Sequence, residues 1–244
     1  MVLNETMHKK TSKYLIFLQN TLTLPQRNAI MDIEALTQEA VGLLERMVSL
    51  PSVSREEKEV ADLLENFMKE RGKTPHRTGH NLWCISPFYR TGRPTLLLNA
   101  HIDTVKPAAS WTRDPFRPTR EGERIYGLGT NDDGASVVAL WQAFCTLSGK
   151  EQPYNLIFLA SCEEEVSGKN GIESARPLLP HIDLALVGEP TGMQPAIAEK
   201  GLMVLDVTAH GKSGHAARNE GENAIYKAMK DMEWFRTYRF PKTS

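Results

Sequence analysis

The chain has 244 residues, and its composition, 41% hydrophobic and 24% charged, excludes an intrinsically disordered polymer. A formal net charge of -1, without any basic cluster interleaved with aromatics, argues against a nucleic-acid or anionic-membrane partner. No apolar run approaches the ~20 residues of a membrane helix, so a soluble cytoplasmic protein is expected. Three cysteines, Cys84, Cys145 and Cys162, show no CxxC spacing and fit reduced thiols.

Residues 1–30 carry a short apolar run, Tyr14–Leu18, without the longer apolar region and cleavage site of a signal peptide. They read as an N-terminal extension outside the fold, with Met31 as a candidate start and Asp32 as the N-cap of the first helix. Ile33, Leu36, Ala40, Leu43, Leu44, Met47 and Val48 recur at helical spacing and predict an amphipathic helix over 32–49. Ser54 and Glu57 form the S-x-x-E pattern of a capping box. Val60, Leu63, Leu64 and Phe67 give the helix that follows a buried face, and Gly72 is its expected C-cap.

A strand is expected near 81–85, and another at Thr95–Ala100. The polar, Pro-, Arg- and Gly-rich segment 104–131 reads as a long surface loop. Gly134 to Leu147 reads as a helix apolar nearly all round, hence buried. Strands at 156–160 and 184–187, with a short helix near 171–179 between them, complete a strand–helix alternation. Such alternation predicts an α/β fold with a mostly parallel sheet flanked by helices. Beyond Lys200-Gly201 an alternating strand is expected over Leu202–Ala209, then a helix over 221–235, the beginning of a smaller α+β unit. The expected division is therefore 1–30 extension, 31–198 main α/β domain and 199–244 the beginning of a second domain.

Three of the expected strands run into metal-type ligands at their carboxyl ends: His101 and Asp103, the run Glu163-Glu164-Glu165, and Glu189. Open α/β sheets bind ligands in the crevice outside those ends. Asp132 and Asp133 fall at a loop-to-helix junction between them. Taken singly, these are an N-cap pair, solvated turns and a packed histidine; their joint placement points to a carboxylate-rich metal site. Imidazole with carboxylates suits Zn²⁺, with Co²⁺ or Mn²⁺ as substitutes. A carboxylate bridging two ions would lower the pKa of a water and polarise a carbonyl, and an unligated glutamate could move the proton.

The segments Asn99–Asp103, Tyr126–Gly134, Cys162–Glu165, Val187–Thr191 and Gly211–Ala216 resemble, in order and spacing, those of the dinuclear zinc amidohydrolases and peptidases. That family includes acetylornithine deacetylase, succinyl-diaminopimelate desuccinylase, aminoacylase and a zinc carboxypeptidase acting on folate. The resemblance covers roughly Ile33 to the end and implies that 31–198 is an incomplete catalytic domain and 199–244 a truncated lid, with two Zn²⁺ per subunit. His101 and Glu189 would bind one ion, Glu165 the other, and Asp132 both. Asp103 would orient His101, and Glu164 would be the general base. His215, on the lid, would stabilise the oxyanion in a neighbouring subunit of a homodimer. The implied reaction removes an N-acyl group from a small amino-acid substrate, acetylornithine first; a desuccinylase or dipeptidase of the same family, or an inactive fragment, is the alternative.

Three departures from the family pattern stand out. Gly134-Ala135 replaces a lysine common after the bridging aspartate. Glu163 stands where aspartate is commoner, which leaves the register of the base open by one residue. A late histidine ligand is absent, so the chain is expected to match the front two-thirds of such an enzyme, with little activity and an uncovered sheet edge.

Overall fold

The structure, a computed structural model, describes residues 32–198, 204–215, 217–218 and 220–239. Met31, Lys200 and Gly201 lie outside the described residues. The chain divides into two compact units, the first ending at Met193 and the second starting at Gln194.

In the first unit, α1 spans Ile33–Val48, and the Asp32 carboxylate accepts from the Ala35 N–H at 3.0 Å, the cap its sequence position predicts. Its apolar stripe, Leu43, Leu44, Met47 and Val48, is buried. The second helix, α2, spans Lys58–Glu70 and buries Val60, Leu64, Phe67 and Met68. It ends at Gly72, whose φ of 69° lets the Gly72 and Lys73 N–H groups turn back to the carbonyls of Lys69 and Met68. The expected capping box does not form. The N-cap of α2 is Glu57, with no side-chain cap hydrogen bond, and Ser54 and Glu57 both turn toward the ends of the sheet instead.

Strands β1 (His76–Thr78), β2 (Asn81–Ile85) and β3 (Thr95–His101) come next. The segment read as one long loop contains a small hairpin, β4 (Thr119–Glu121) with β5 (Arg124–Tyr126). It turns at Gly122, whose φ is 59°, and Arg120 ties it to Glu45 of α1. Its strands are only three residues long and carry little apolar alternation, which is why sequence periodicity passes over them. A π-helical turn, Thr130–Gly134, leads into α3 (Ala135–Leu147). Then come β6 (Asn155–Ser161), a single helical turn α4 (Ile172–Ala175) continued as 3₁₀ over Arg176–Leu178, and β7 (Leu184–Val187).

The sheet order is β1-β2-β6-β3-β7. β6, β3 and β7 are parallel, β2 pairs antiparallel with β6, and β1 pairs antiparallel with β2. Both faces are covered. On one, Leu98, Ala100 and Phe158 meet α1, α2 and α3 in the main core; on the other, Leu97, Ile157 and Leu159 pack with Trp83 and Ala175. Successive strand residues therefore serve opposite faces, and β6 is buried along its whole length. Trp141 of α3 packs edge-on to Phe158 and Phe67, with ring centroids 5.4 and 6.3 Å apart. β7 departs from the expected buried strand. It is the outer strand, and Leu186 and Val187 are 53% and 57% exposed.

In the second unit, α5 spans Ala224–Thr237, capped by the Asn223 carboxamide oxygen. An isolated bridge joins Lys212 to Glu222. The expected strand over Leu202–Ala209 is not found among its described residues 204–209, which have no ladder partner and are largely exposed. Alternation alone cannot make a strand without a neighbour to pair with.

Candidate metal centre

The parallel register carries the ligand-type residues to one edge. His101, the last residue of β3, lies opposite Ser161 at the end of β6, so Glu163, Glu164 and Glu165 follow immediately beside it. On the other side, Val187 lies opposite Asn99, and the Gly188 N–H continues the ladder to the Asn99 carbonyl at 2.7 Å before the chain turns out at Glu189. The Cβ of any other residue at Gly188 would lie 2.4 Å from Ser136 Cβ at the start of α3. Glycine is what allows this turn to approach that helix.

Asp132 comes from the π-helical turn ahead of α3, with φ -115° and ψ 97°, outside helical geometry, and the Asp132–Asp133 peptide is cis. The two acids part company there. Asp133 is buried, and its Oδ2 accepts from the His101 N–H at 3.1 Å. Asp132 Oδ1 lies 3.1 Å from His101 Nε2. Among the described residues, one donor atom each from His101, Asp132 and Glu189 lie within 4.8 Å of one another.

Glu164 is next to this trio, its Oε2 3.9 Å from His101 Nε2 and its side chain 52% exposed. Glu165 falls outside the tight set, although it feels the charges of Asp132 and Glu164. Glu163 points elsewhere: its carboxylate accepts from the Asn170 side chain at 2.9 Å, and Gly168 packs on it so closely that a Cβ there would overlap Oε2. Of the three consecutive glutamates, Glu164 therefore faces the histidine. His215 is in the second unit, exposed, with its Nδ1 accepting from the Ala217 N–H at 3.2 Å.

Asp103 organises the centre from below. It is fully buried; its Oδ1 lies 3.4 Å from His101 Nδ1, and its backbone carbonyl lies 2.9 Å from the same nitrogen. A proton on Nδ1 satisfies that carbonyl and leaves Nε2 as the ring atom that faces Asp132, the one a cation would take. Ser54 Oγ donates to Asp103 Oδ2 at 2.7 Å, and the N–H groups of Glu164 and Glu165 donate to Oδ1 and Oδ2 at 3.0 and 3.1 Å. Burial opposes its ionisation, but the His101 ring first, then Ser54 and the two N–H groups, outweigh burial and hold the Asp103 carboxyl below its ordinary range.

The remaining charges crowd one another. Burial pushes the Glu189 carboxyl up, and repulsion from Glu164, Asp132 and Glu165 adds to it against the attraction of His101. Glu165 is raised by burial and by Asp132 and Glu164. Asp133 is pushed to about 7, chiefly by burial. Burial works against charge on His101, yet Asp103, Asp133 and Glu164 raise it to about 10. Several carboxylates of like sign crowded around one imidazole are a poor arrangement by themselves and a good one around cations. Nitrogen and oxygen donors converging within 4.8 Å fit a borderline divalent ion such as Zn²⁺.

Sequence reasoning missed the support beneath the site. Ser54, Glu57 and Asn81 each reach it through backbone or carboxylate hydrogen bonds, with Asn81 binding the Cys162 N–H and the Asn170 carbonyl. The S-x-x-E signal was visible but has two readings, and local spacing favours the capping one.

The three free cysteines are inert thiols: burial pushes Cys84 and Cys162 to about 12 and Cys145 to about 11.

A His/Asp/Glu cluster at the carboxyl ends of parallel strands in an α/β sheet defines a candidate metal-binding protein of the α/β class. Residues 97–237, more than half of the chain, match the model of peptidase family M20/M25/M40, and the chain belongs to that family. It is 33% identical over 204 residues to a succinyl-diaminopimelate desuccinylase of Corynebacterium glutamicum, covering 79% of this chain and 53% of the relative. It is 36% identical over 138 residues to an acetylornithine deacetylase of Pectobacterium carotovorum, covering 55% and 36%. Among solved structures it resembles an M20 family metallo-carboxypeptidase of Sulfolobus solfataricus, with a TM-score of 0.51 and 26% identity over 62% of this chain and 37% of that one. The chain thus spans about half the length, or less, of the relatives it matches.

Proposed function

We propose that this chain carries the metal-binding half of an amidohydrolase that removes an N-acyl group from an amino acid, with acetylornithine as first choice of substrate. The names of the relatives support this choice, and succinyl-diaminopimelate or a dipeptide comes next. The observation that carries the reading is the convergence of His101, Asp132 and Glu189 within 4.8 Å.

In this reading, His101 and Glu189 would hold one Zn²⁺ and Glu165 the second, with Asp132 serving both. The ions, when bound, polarise the scissile carbonyl and make a water acidic enough to attack near neutral pH. Glu164 would accept a proton from the attacking water and give it to the leaving nitrogen; its half-exposed carboxylate, 3.9 Å from His101 Nε2, supports that role. Asp103 holds the His101 ring and the backbone of the Glu164 turn in one arrangement. Residues 31–198 form the catalytic domain and 199–244 the start of a lid. His215 serves the partner subunit of a homodimer. Its Nδ1 accepts a hydrogen bond, which puts the ring proton on Nε2, a donor suited to an oxyanion.

Equilibrium dialysis against Zn²⁺ with metal analysis tests the site. The reading expects uptake that His101→Ala weakens by at least ~10-fold. Equal uptake by both proteins refutes it. Substrate choice is read on the full-length protein with N-acetylornithine, N-succinyl-diaminopimelate and dipeptides, using Glu164→Gln as the inactive control.

A further inference from the structure

The turn Glu163–Glu165 presents three consecutive backbone N–H groups to buried carboxylates. Asp103 takes those of Glu164 and Glu165. The N–H of Glu163 is taken by Glu57, which lies 106 residues earlier and is completely buried. Glu57 Oε1 accepts from the Arg55 N–H at 2.7 Å and from the Glu163 N–H at 3.1 Å, and Oε2 lies 2.8 Å from His80 Nδ1. A completely buried carboxylate is costly to keep, and nothing in the helix cap it precedes uses its side chain. Its partners show what it holds. They are the loop 53–55, joined to the end of β3 by the Val53–Thr104 bridge, and the first residue of the acidic turn after β6. His80, the partner of Oε2, keeps 28% side-chain exposure while Glu57 has none.

We propose that Glu57, backed by His80, is a positioning residue for the acidic turn, fixing the directions in which Glu164 and Glu165 leave the backbone. Asp103 grips the turn at two adjacent N–H groups, and Asn81 holds the Cys162 N–H just before it. Between these two grips, Glu57 takes the Glu163 N–H from a different carboxylate and fixes the direction of the backbone there. Glu163, whose φ is 54°, is thereby kept in the left-handed region that turns its own side chain away to Asn170 and the next one toward His101. The inference rests on the proposed function only for the roles of Glu164 and Glu165; the grip on the backbone stands apart from it.

The test uses the full chain with Glu57→Ala, Glu57→Gln and His80→Ala. Glutamine keeps an oxygen for the Arg55 and Glu163 N–H groups and can donate to an Nδ1 that has lost its proton. Amide exchange at Glu163–Glu165 is read by mass spectrometry, and Co²⁺ is titrated by its visible absorption. In Glu57→Ala, exchange at the turn rises by ~10-fold or more, exchange in α1 stays unchanged, and the weaker Co²⁺ step loses ~10-fold in affinity. Glu57→Gln returns both to near the unsubstituted values. Unchanged exchange at the turn, equal acceleration throughout the unit, or no rescue by glutamine overturns the inference. Should Glu57→Ala fail to fold, His80→Ala decides: a severalfold rise confined to the turn supports the grip, and no rise removes it. If the unsubstituted chain takes up no Co²⁺, the metal reading fails, while the exchange data still decide the role of Glu57.

Discussion

Buried among Asp103, Asp133 and Glu164, the imidazole of His101 stays protonated to about 10 in the metal-free protein. Its pKa is raised on folding, so its contribution to stability is fully present below the ordinary 6.5 and is lost as pH climbs through about 10. A cation that takes Nε2 must displace that proton. Zn²⁺ binding near neutral pH is therefore expected to release a proton from His101, read by calorimetry in buffers of different ionisation enthalpy. His101→Ala should lose that release, and equal release by both proteins contradicts the assignment.

Asp103 behaves oppositely. Its folded pKa is lowered, so its contribution is present above the ordinary carboxylate value of 3.8 and disappears as pH falls through the folded one. In Asp103→Asn an amide NH₂ must face the N–H groups that donate to the carboxylate, leaving at least one buried donor unpaired. The expected loss is about 2–4 kcal/mol at neutral pH, shrinking under acid conditions, measured by denaturant titration at several pH values. A constant difference at all pH values would show that Asp103 acts by shape alone.

At the scale of elements, the site depends on how closely β7 approaches α3. An alanine at Gly188 places its Cβ 2.4 Å from Ser136 Cβ and 3.3 Å from Leu140, so Glu189 must move outward. Gly188→Ala is expected to cost about 1–3 kcal/mol and to weaken the metal step served by Glu189. Ser136→Gly in the same chain removes the struck atom and should recover most of both. The double-mutant cycle measures this coupling, and strict additivity would mean the clash is relieved elsewhere. Phe144 tests the other side of α3. It is fully buried against Trp141 and Phe158, and Phe144→Ala is expected to cost about 3–5 kcal/mol by thermal or denaturant unfolding.

For the molecule as a whole, exposed apolar surface is the dominant feature. β7 shows Leu186 and Val187 on an outer strand, and α5 separately exposes Ile225, Tyr226, Met229, Met232 and Trp234 at 55–68%. A strand with one edge open among the described residues and an exposed apolar helix stripe both invite contact with another surface. Sedimentation at rising concentration is expected to show self-association of this chain, reduced by Val187→Lys and separately by Met229→Lys. A monomer at all concentrations would mean these faces are tolerated in water.

The strands that carry ligands, the helices α1 and α3, and every acidic residue of the candidate centre were legible from apolar runs, caps and motif order, because each is a local pattern. The hairpin β4–β5, the exposure of β7 and the double duty of Ser54 and Glu57 were not. They depend on which segment lies opposite which, and a four-residue spacing such as S-x-x-E is the same whether it caps a helix or reaches across to β6. By itself the sequence determined which side chains end the strands, and so which chemistry is on offer. Only tertiary structure decided that Glu164 rather than Glu163 looks at His101, and that Asp132 and Asp133 separate into surface and core. Side-chain direction is set by strand register and by distant hydrogen bonds, neither of which leaves a mark on neighbouring residues.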